Sequence, residues 1–180
     1  MSESNKRFIF YYLLLILSQK QLIMEPKKDS PGVYIPPPLF YVLTFLSAIF
    51  IQKKVSIDDT LFHLQVTKII GILLLVMALV FLFTSLHKFL LSKNTLILIK
   101  PAFSLQTNGI YAVSRNPMYV GLAIVYLGLT CLIGNWWNII FFPLLFIIIQ
   151  EYIIKREEKY LERAFGVTYL DYKKVVRRWL

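Results

Sequence analysis

Long apolar segments separated by short polar stretches make up most of this chain. A membrane-spanning helix needs about 20 mostly apolar residues, and Ile35–Gln52 and Lys68–Leu91 have this character. A third apolar block runs without a charge from Asn116 to Gln150, and the sequence IGNWWN divides it. Its Gly and Asn favour a turn, while its two Trp residues are typical of a membrane interface. We therefore predict four transmembrane helices, of which the last two, at about 118–133 and 137–153, form a hairpin.

The N-terminal part of the chain does not contain a clear span. The apolar run Phe8–Leu17 is too short to cross a bilayer, and no small-residue cleavage site for a signal peptide follows it. Residues 1–23 are therefore expected to be an interfacial helix or an upstream extension, with Met24 as the true start. The predicted organisation is an N-terminal leader at 1–34, a transmembrane helical domain at 35–153 and a cytoplasmic helical tail at 154–180.

Composition supports a membrane protein. Apolar residues make up 57% of the chain, above the ~45–50% of soluble domains, and the mean hydropathy is +0.62. The single Cys131 excludes an internal disulfide, and His63 and His87 lie too far apart in sequence to suggest a metal site. We therefore expect neither a metal nor a nucleic-acid partner, because the net charge of +10 is better explained by cytoplasmic loops and anionic lipids.

Basic residues predict the orientation in the membrane. The 88–117 loop contains no acidic residue, and its basic residues are Lys88, Lys93, Lys100 and Arg115. The C-terminal tail has eight basic residues: Lys155, Arg156, Lys159, Arg163, Lys173, Lys174, Arg177 and Arg178. Positively charged loops remain on the cytoplasmic side. Both segments are therefore expected to face the cytoplasm, in a cell inner membrane or an ER-type membrane.

Two adjacent acids, Glu157 and Glu158, follow the last predicted span, in a stretch that is expected to be helical up to Gly166. Because the last two spans form a hairpin, Arg115 and Glu157 should lie at the same membrane face. Two interpretations remain open. Either the acids pair with basic neighbours, for which the candidates are Arg115, Lys159 and Arg163. Or they help to form a pocket for a cationic small molecule, with aromatic faces from Tyr111 and Tyr119.

These residues occur in an order that resembles a known family. The pattern is a segment RNPMYVG, an apolar hairpin, a Glu-Glu pair, a Phe-Gly pair and spaced tyrosines. It is similar to the isoprenylcysteine carboxyl methyltransferase family and its relatives among membrane phospholipid methyltransferases, in the bacterial form, over about residues 103–180. The matching residues are Arg115, Asn116, Pro117, Tyr119, Gly121, Glu157, Glu158, Phe165, Gly166, Tyr169 and Tyr172.

The resemblance implies an all-α polytopic membrane protein with about four transmembrane helices. It also implies S-adenosyl-L-methionine as methyl donor, in a cytosolic pocket that the C-terminal helical segment completes. Carried over by position, the cofactor-binding residues would be Leu105, Gln106, Tyr111, Asn116, Pro117, Met118, Tyr119 and Glu157. The remaining candidates, for catalysis, are Arg115, Arg156 and Glu158.

Two departures from the family pattern bear on the substrate. Asn116 replaces the family's histidine, and Ile153 stands where eukaryotic members carry a substrate-side arginine, so that Arg156 is the nearest candidate. The expected acceptor is a lipid or lipid-modified molecule. It is an isoprenylated carboxylate, as for protein-S-isoprenylcysteine carboxyl O-methyltransferase, or a phospholipid amine, whose proton Glu157 or Glu158 could take. An NADPH-dependent membrane reductase and a non-catalytic scaffold are the alternatives outside this class.

Two further patterns concern packing. Gly121 and Gly128 share one face of the third predicted span, which favours close helix packing or leaves room for a lipid chain. The tail 170–180 reads as a helix whose apolar face is Tyr172, Val175, Val176 and Trp179. We predict that it lies in the membrane interface with its basic residues on anionic lipid. The alternative is packing on the protein's own surface.

Overall fold

The computed structural model of the chain describes residues 30–91 and 104–180. The predictions for residues 1–23, and those for Lys93 and Lys100, lie outside these ranges. Every regular element in the described ranges is helical, so the all-α prediction is confirmed there. The helices are α1 (Pro37–Lys54), α2 (Thr60–His63), α3 (Gln65–Leu91), α4 (Pro117–Ile133), α5 (Trp136–Ile148) and α6 (Lys155–Val175). A 3₁₀ turn, Gly109–Ala112, precedes α4, and a π-helical segment, Ile149–Ile154, joins α5 to α6.

Each predicted span coincides with a helix, although the helices differ in how well they suit a membrane. Two are long and apolar enough to cross one: Gln65–Lys88 in α3, and the helical stretch Trp136–Val175, which comprises α5, the π-helical segment and α6. Helix α4 is apolar but has 17 residues, at the lower end of the ~17–25 that a span needs. Helix α1 has 18 residues and ends on two lysines. Four spans therefore stay a prediction, of which two are supported by length and composition.

The turn between α4 and α5 follows from its sequence. Gly134 ends α4 with a positive φ of 75°, a conformation that glycine adopts without steric cost. Asn135 then caps α5, its side-chain oxygen accepting the backbone N–H of Trp137 at 2.9 Å. The predicted hairpin turn within IGNWWN is thus present.

Helices α3 and α4 touch through their glycines. A methyl group built on Gly128 would lie 3.1 Å from the carbonyl oxygen of Gly71, and one on Gly71 would lie 3.0 Å from that of Gly128. A methyl group on Gly121 would lie 2.8 Å from Leu82. Of the two roles considered for Gly121 and Gly128, close helix packing is therefore the observed one.

The two tryptophans of the turn stabilise the end of the bundle that is remote from residues 114–119. The indole N–H of Trp136 donates to the carbonyl of Asp58 at 2.9 Å, and that of Trp137 donates to the carbonyl of Val55 at 2.8 Å. Both contacts tie the start of α5 to the connection between α1 and α2. They set this end apart from the opposite one, where the candidate site lies.

The tail departs from the predicted interfacial helix. Helix α6 breaks at Gly166, whose φ of 52° and ψ of −128° suit only glycine, and then continues to Val175. Val176 is extended, and the residues after it fold back onto the protein. Trp179 stacks on Phe146 with ring centroids 4.5 Å apart. The prediction of one continuous helical face through Trp179 is therefore wrong, because internal hydrogen bonds and this ring contact hold the last residues instead.

Candidate functional site

The candidate site forms where the signature loop, defined as Ser114–Tyr119, meets the start of α6. Tyr119 lies in the first turn of α4, and its hydroxyl donates a 2.8 Å hydrogen bond to Oε1 of Glu157. The backbone oxygen of Tyr119 accepts the hydroxyl of Tyr41 from α1 at 3.3 Å. Three helices therefore converge on one tyrosine. The expectation that the signature loop and Glu157 lie at the same end of the hairpin is confirmed.

The carboxyl group of Glu157 is electrostatically unusual. Burial raises its pKa to about 7, the charge of the adjacent Glu158 adds to this increase, and the Tyr119 hydrogen bond opposes it. Glu157 therefore changes charge near neutral pH. A cation bound beside it would favour the ionised form.

Glu158 faces a different direction and lies between two arginines. Its Oε1 is 3.2 Å from Nη2 of Arg115, and the two side chains are 5% and 8% exposed. Arg178 binds it through two hydrogen bonds, Nε to Oε1 at 3.0 Å and Nη2 to Oε2 at 2.7 Å. The interpretation that an acid pairs with Arg115 is therefore correct for Glu158. The three side chains together carry a net charge of one positive unit.

Arg115 keeps hydrogen-bonding capacity beyond this pair. Its Nε and Nη1 atoms are buried, and neither has a hydrogen-bond partner among the described residues. A buried donor without a partner costs free energy. An anionic group placed here would recover that cost.

Tyr111 approaches the same region from the 3₁₀ turn. It is buried, and its pKa is raised by burial, by Tyr172 and by Glu157. Its backbone oxygen accepts a hydrogen bond from the Tyr172 hydroxyl. Leu105 packs on the tail cluster that includes Tyr172, while the side chain of Gln106 donates to Ser104 Oγ at 2.9 Å. Tyr111 therefore lies within electrostatic range of Glu157.

The other signature-loop residues serve the loop itself. The Asn116 side-chain amide donates to the backbone oxygen of Arg178 at 2.9 Å. Pro117 begins α4 and is buried, where a missing N–H has no cost, and Met118 is partly buried. Asn116, which replaces the family's histidine, therefore holds the C-terminus in this structure.

Arg156 points away from these groups. Its guanidinium lies 4.3 Å from the ring centroid of Tyr152, and its Nη1 donates to the backbone oxygen of Gly32 at 3.3 Å. It is exposed, whereas Glu158 two residues later is 4% exposed. Of the three candidate catalytic residues, the structure brings Arg115 and Glu158 together and places Arg156 among other contacts.

An apolar groove lies beside this site and shares Tyr41 with it. It lies between α1 and α4 and has a volume of about 190 Å³. Its lining residues are Pro38, Tyr41, Val42, Phe45, Leu46, Leu122, Val125, Tyr126 and Leu129. Tyr41 lines the groove and its hydroxyl donates to the backbone oxygen of Tyr119, so this one residue links the groove to the Tyr119–Glu157 pair.

Sequence reasoning missed two contributors. Tyr41 gave no signal of its own within an apolar helix. Arg178 belongs to the tail 170–180, whose basic residues the sequence pattern assigns to lipid contact. No group of three or more potential metal ligands occurs in the described part of the chain.

Comparison with known proteins shows which family the chain is similar to. The sequence model of the phospholipid methyltransferase family matches residues 66–168, which is more than half of the chain. An uncharacterized protein of Haemophilus influenzae is 44% identical over 66 residues, covering 35% of this chain and all of that protein.

A second relative has a named activity. The protein-S-isoprenylcysteine O-methyltransferase of Schizosaccharomyces pombe is 42% identical over 72 residues, covering 40% of this chain and 30% of the yeast enzyme. No solved structure matches the chain significantly. The helical architecture, the conjunction of the signature loop with the Glu-Glu helix and the extent of the family match lead to one conclusion: this chain belongs to the phospholipid methyltransferase family.

Proposed function

We propose that this protein is an S-adenosylmethionine-dependent membrane methyltransferase that acts on a lipophilic acceptor. The observation that carries the proposal is the hydrogen bond between Tyr119 and Glu157, because it joins the two separate parts of the family pattern in one site. The family match and the partial similarity to the yeast enzyme support the reaction class.

The residues at the site fit the charges of S-adenosylmethionine. Its amino-acid end carries an ammonium and a carboxylate, and its sulfonium is a second cation. Glu157, with the rings of Tyr111 and Tyr119, suits a cationic group. The buried Nε and Nη1 of Arg115, which lack partners among the described residues, suit a carboxylate.

When bound, this cofactor supplies an electrophilic methyl group on sulfur. The contribution of the chain is to orient donor and acceptor for an in-line displacement. In this proposal Glu157 and Tyr119 bind the cationic end of the cofactor. The ion pair with Glu158 holds the side chain of Arg115 in position. The groove between α1 and α4 takes the hydrocarbon chain of the acceptor and directs its polar end to Tyr119.

Two acceptor types remain, and they use Glu157 differently. An isoprenylated carboxylate, as for the yeast relative, needs no proton removal. A phospholipid amine, as the family description suggests, must lose a proton, which the ionised Glu157 could accept. We favour the carboxylate, because the relative with a named activity is a protein-S-isoprenylcysteine O-methyltransferase.

A binding and turnover series tests the function. Purified protein in detergent is titrated with S-adenosylmethionine, S-adenosylhomocysteine and NADPH while its thermal unfolding is followed. Stabilisation by the first two and not by NADPH is expected. Labelled methyl transfer is then compared between a farnesylated cysteine derivative and phosphatidylethanolamine. Stabilisation by NADPH alone would identify a reductase, and no response to any of the three would favour a scaffold.

A further inference from the structure

Two adjacent arginines near the C-terminus have different surroundings. Arg177 has an exposed side chain, and its contact within the described part of the chain is made by its backbone oxygen, which accepts the N–H of Arg115 at 3.0 Å. The guanidinium of Arg178 binds both carboxylate oxygens of Glu158, which is 5% exposed at its side chain. The sequence pattern gives both arginines the same role, on the basic side of the tail, whereas in the structure their side chains have different surroundings.

Arg178 also fastens the signature loop through its backbone. Its carbonyl oxygen accepts hydrogen bonds from the side-chain amide of Asn116 at 2.9 Å and from Ser114 Oγ at 3.3 Å. Ser114 Oγ in turn accepts the N–H of Asn116 at 3.1 Å. One residue therefore connects the loop that begins α4 with the helix that carries the two glutamates.

The next residue anchors this connection to α5. The indole N–H of Trp179 donates to Oε1 of Gln150 at 3.1 Å, and its ring stacks on Phe146. Both partners lie at the end of α5 and in the π-helical segment. The backbone of Arg178 is thus held on both sides, so that its guanidinium reaches Glu158 from a fixed position.

We propose that Arg178 is a positioning residue for the methyl-transfer site, acting through Glu158 on Arg115 and through its backbone on the signature loop. This rests on the proposed function. A bidentate guanidinium–carboxylate pair fixes orientation as well as distance. Without it, Glu158 would keep the 3.2 Å contact to Arg115 among the described residues, and the carbonyl of residue 178 would be held less firmly against the signature loop.

The proposal has an electrostatic consequence at Glu157. The ionisable groups that influence this carboxyl are Tyr119 on α4, Tyr111 on the 3₁₀ turn and Glu158 on α6 itself. Arg178 neutralises part of the charge of Glu158. Its removal should therefore make Glu157 harder to ionise, which a purely mechanical role in stability would not do.

The matched variants are Arg178→Gln and Arg177→Gln, which remove the same charge from adjacent positions. The first measurement is hydrogen exchange of the peptide covering residues 113–118, and it requires no ligand. We expect exchange about fivefold faster in Arg178→Gln and unchanged in Arg177→Gln. Arg178→Lys, which keeps the charge but not the bidentate contact, should exchange at an intermediate rate, and it replaces Arg178→Gln if that variant does not fold.

The second measurement is S-adenosylmethionine affinity as a function of pH. Arg178→Gln should bind about tenfold more weakly, with the midpoint of its pH profile moved upward, while Arg177→Gln should follow the wild type. Equal exchange and equal binding in the two glutamine variants would overturn the positioning role. Failure of the wild type to bind the cofactor would instead contradict the proposed function, and the exchange comparison would still decide whether Arg178 holds the loop.

Discussion

Tyr119 and Glu157 lie 38 residues apart in sequence, yet the hydroxyl of one donates a 2.8 Å hydrogen bond to the carboxylate of the other. The pair joins the first turn of α4 to the first turn of α6. It also places an acid with a pKa of about 7 next to an aromatic ring. A cationic ligand bound there would contact both the carboxylate of Glu157 and the ring of Tyr119.

Removing either partner should weaken cofactor binding. Glu157→Gln removes the negative charge, and Tyr119→Phe removes only the hydrogen bond. We expect Glu157→Gln to reduce S-adenosylmethionine affinity about tenfold, or ~1.4 kcal/mol, and Tyr119→Phe to have a smaller effect. Calorimetric titration in detergent measures both. Glu151→Gln is the control, because Glu151 is exposed and pairs with Lys155 on the surface; an equal loss there would show that the charge acts nonspecifically.

Cofactor binding should depend on pH through Glu157. With a pKa of about 7, the carboxyl is about one tenth ionised at pH 6 and about nine tenths ionised at pH 8. Since the ionised form attracts a cation, affinity should rise up to about tenfold over this interval. Glu157→Gln should flatten the profile. A wild-type affinity that falls with pH would contradict the assignment.

Ionisation of Glu157 should strengthen cofactor binding but lower the stability of the ligand-free protein. The pKa of Glu157 in the folded protein lies above the ordinary value of 4.5, so the folded state binds the proton more tightly than the unfolded chain does. Stability should therefore decrease as pH rises from about 4.5 towards 7 and then level off. Thermal unfolding of the ligand-free protein measures this decrease, which should be smaller in Glu157→Gln. An identical pH dependence in the variant would assign the effect to other groups.

Loss of Glu158 should be more damaging to the fold than loss of Glu157. Glu158→Gln would leave Arg115 and Arg178 close together in a largely buried position without a counter-charge. We expect a destabilisation of about 3 kcal/mol, visible as a lower midpoint of thermal unfolding. Glu162→Gln is the comparison, because its pair with Lys173 is one-third exposed and should contribute less than ~1 kcal/mol.

The contact between α3 and α4 should tolerate no side chain at its centre. In Gly128→Ala the new methyl group would lie 3.0 Å from Leu75 and 3.1 Å from the Gly71 carbonyl, so the helices must move apart. A cost of about 1–3 kcal/mol is expected in unfolding experiments. Val80→Leu adds a methylene group on an exposed part of α3 and should have little effect. Similar losses in both variants would show that any added volume disturbs α3.

The proposed orientation predicts two different labelling results. In a Cys131→Ser background, a cysteine at position 58 should react with an impermeant reagent from outside. A cysteine at the exposed Val113 should react only after the membrane is opened, because the 88–117 loop is expected to face the cytoplasm. Labelling of position 113 from outside would contradict the orientation and, with it, access of a cytosolic cofactor to the site.

Hydrophobic pattern was sufficient to locate the long helices, because α1, α3, α4 and α5 are apolar over most of their length. Two lysines end α1, and Gly134 and Asn135 separate α4 from α5. The hydrophobic pattern could not determine how α6 and the tail fold. The pattern of Tyr172, Val175 and Trp179 satisfies a helical period, but Trp179 finds a better environment on Phe146 and Gln150 than a continued helix would give it.

The candidate site was predictable from the sequence only in part. The ordered motif located Tyr119 and Glu157, since their positions depend on the hairpin. The partners of Glu158 depend on where the chain turns back after Val176, and this is a tertiary property. Arg177 and Arg178 have the same charge and adjacent positions, so only the fold distinguishes the exposed side chain from the one that binds Glu158.

The π-helical segment between α5 and α6 absorbs one residue of chain length. Residues Ile149–Ile154 hold more residues per turn than the 3.6 of an α-helix, in which each residue adds ~100° of rotation. Deleting one residue within this segment would let it become a regular α-helical turn with little change in the direction of α6, so Glu157 would still face Tyr119. In a connection that is α-helical throughout, the same deletion would rotate α6 by roughly 100° and turn Glu157 away from Tyr119. Relatives that carry the intact motifs with one residue fewer between them should therefore still bring the two halves of the site together.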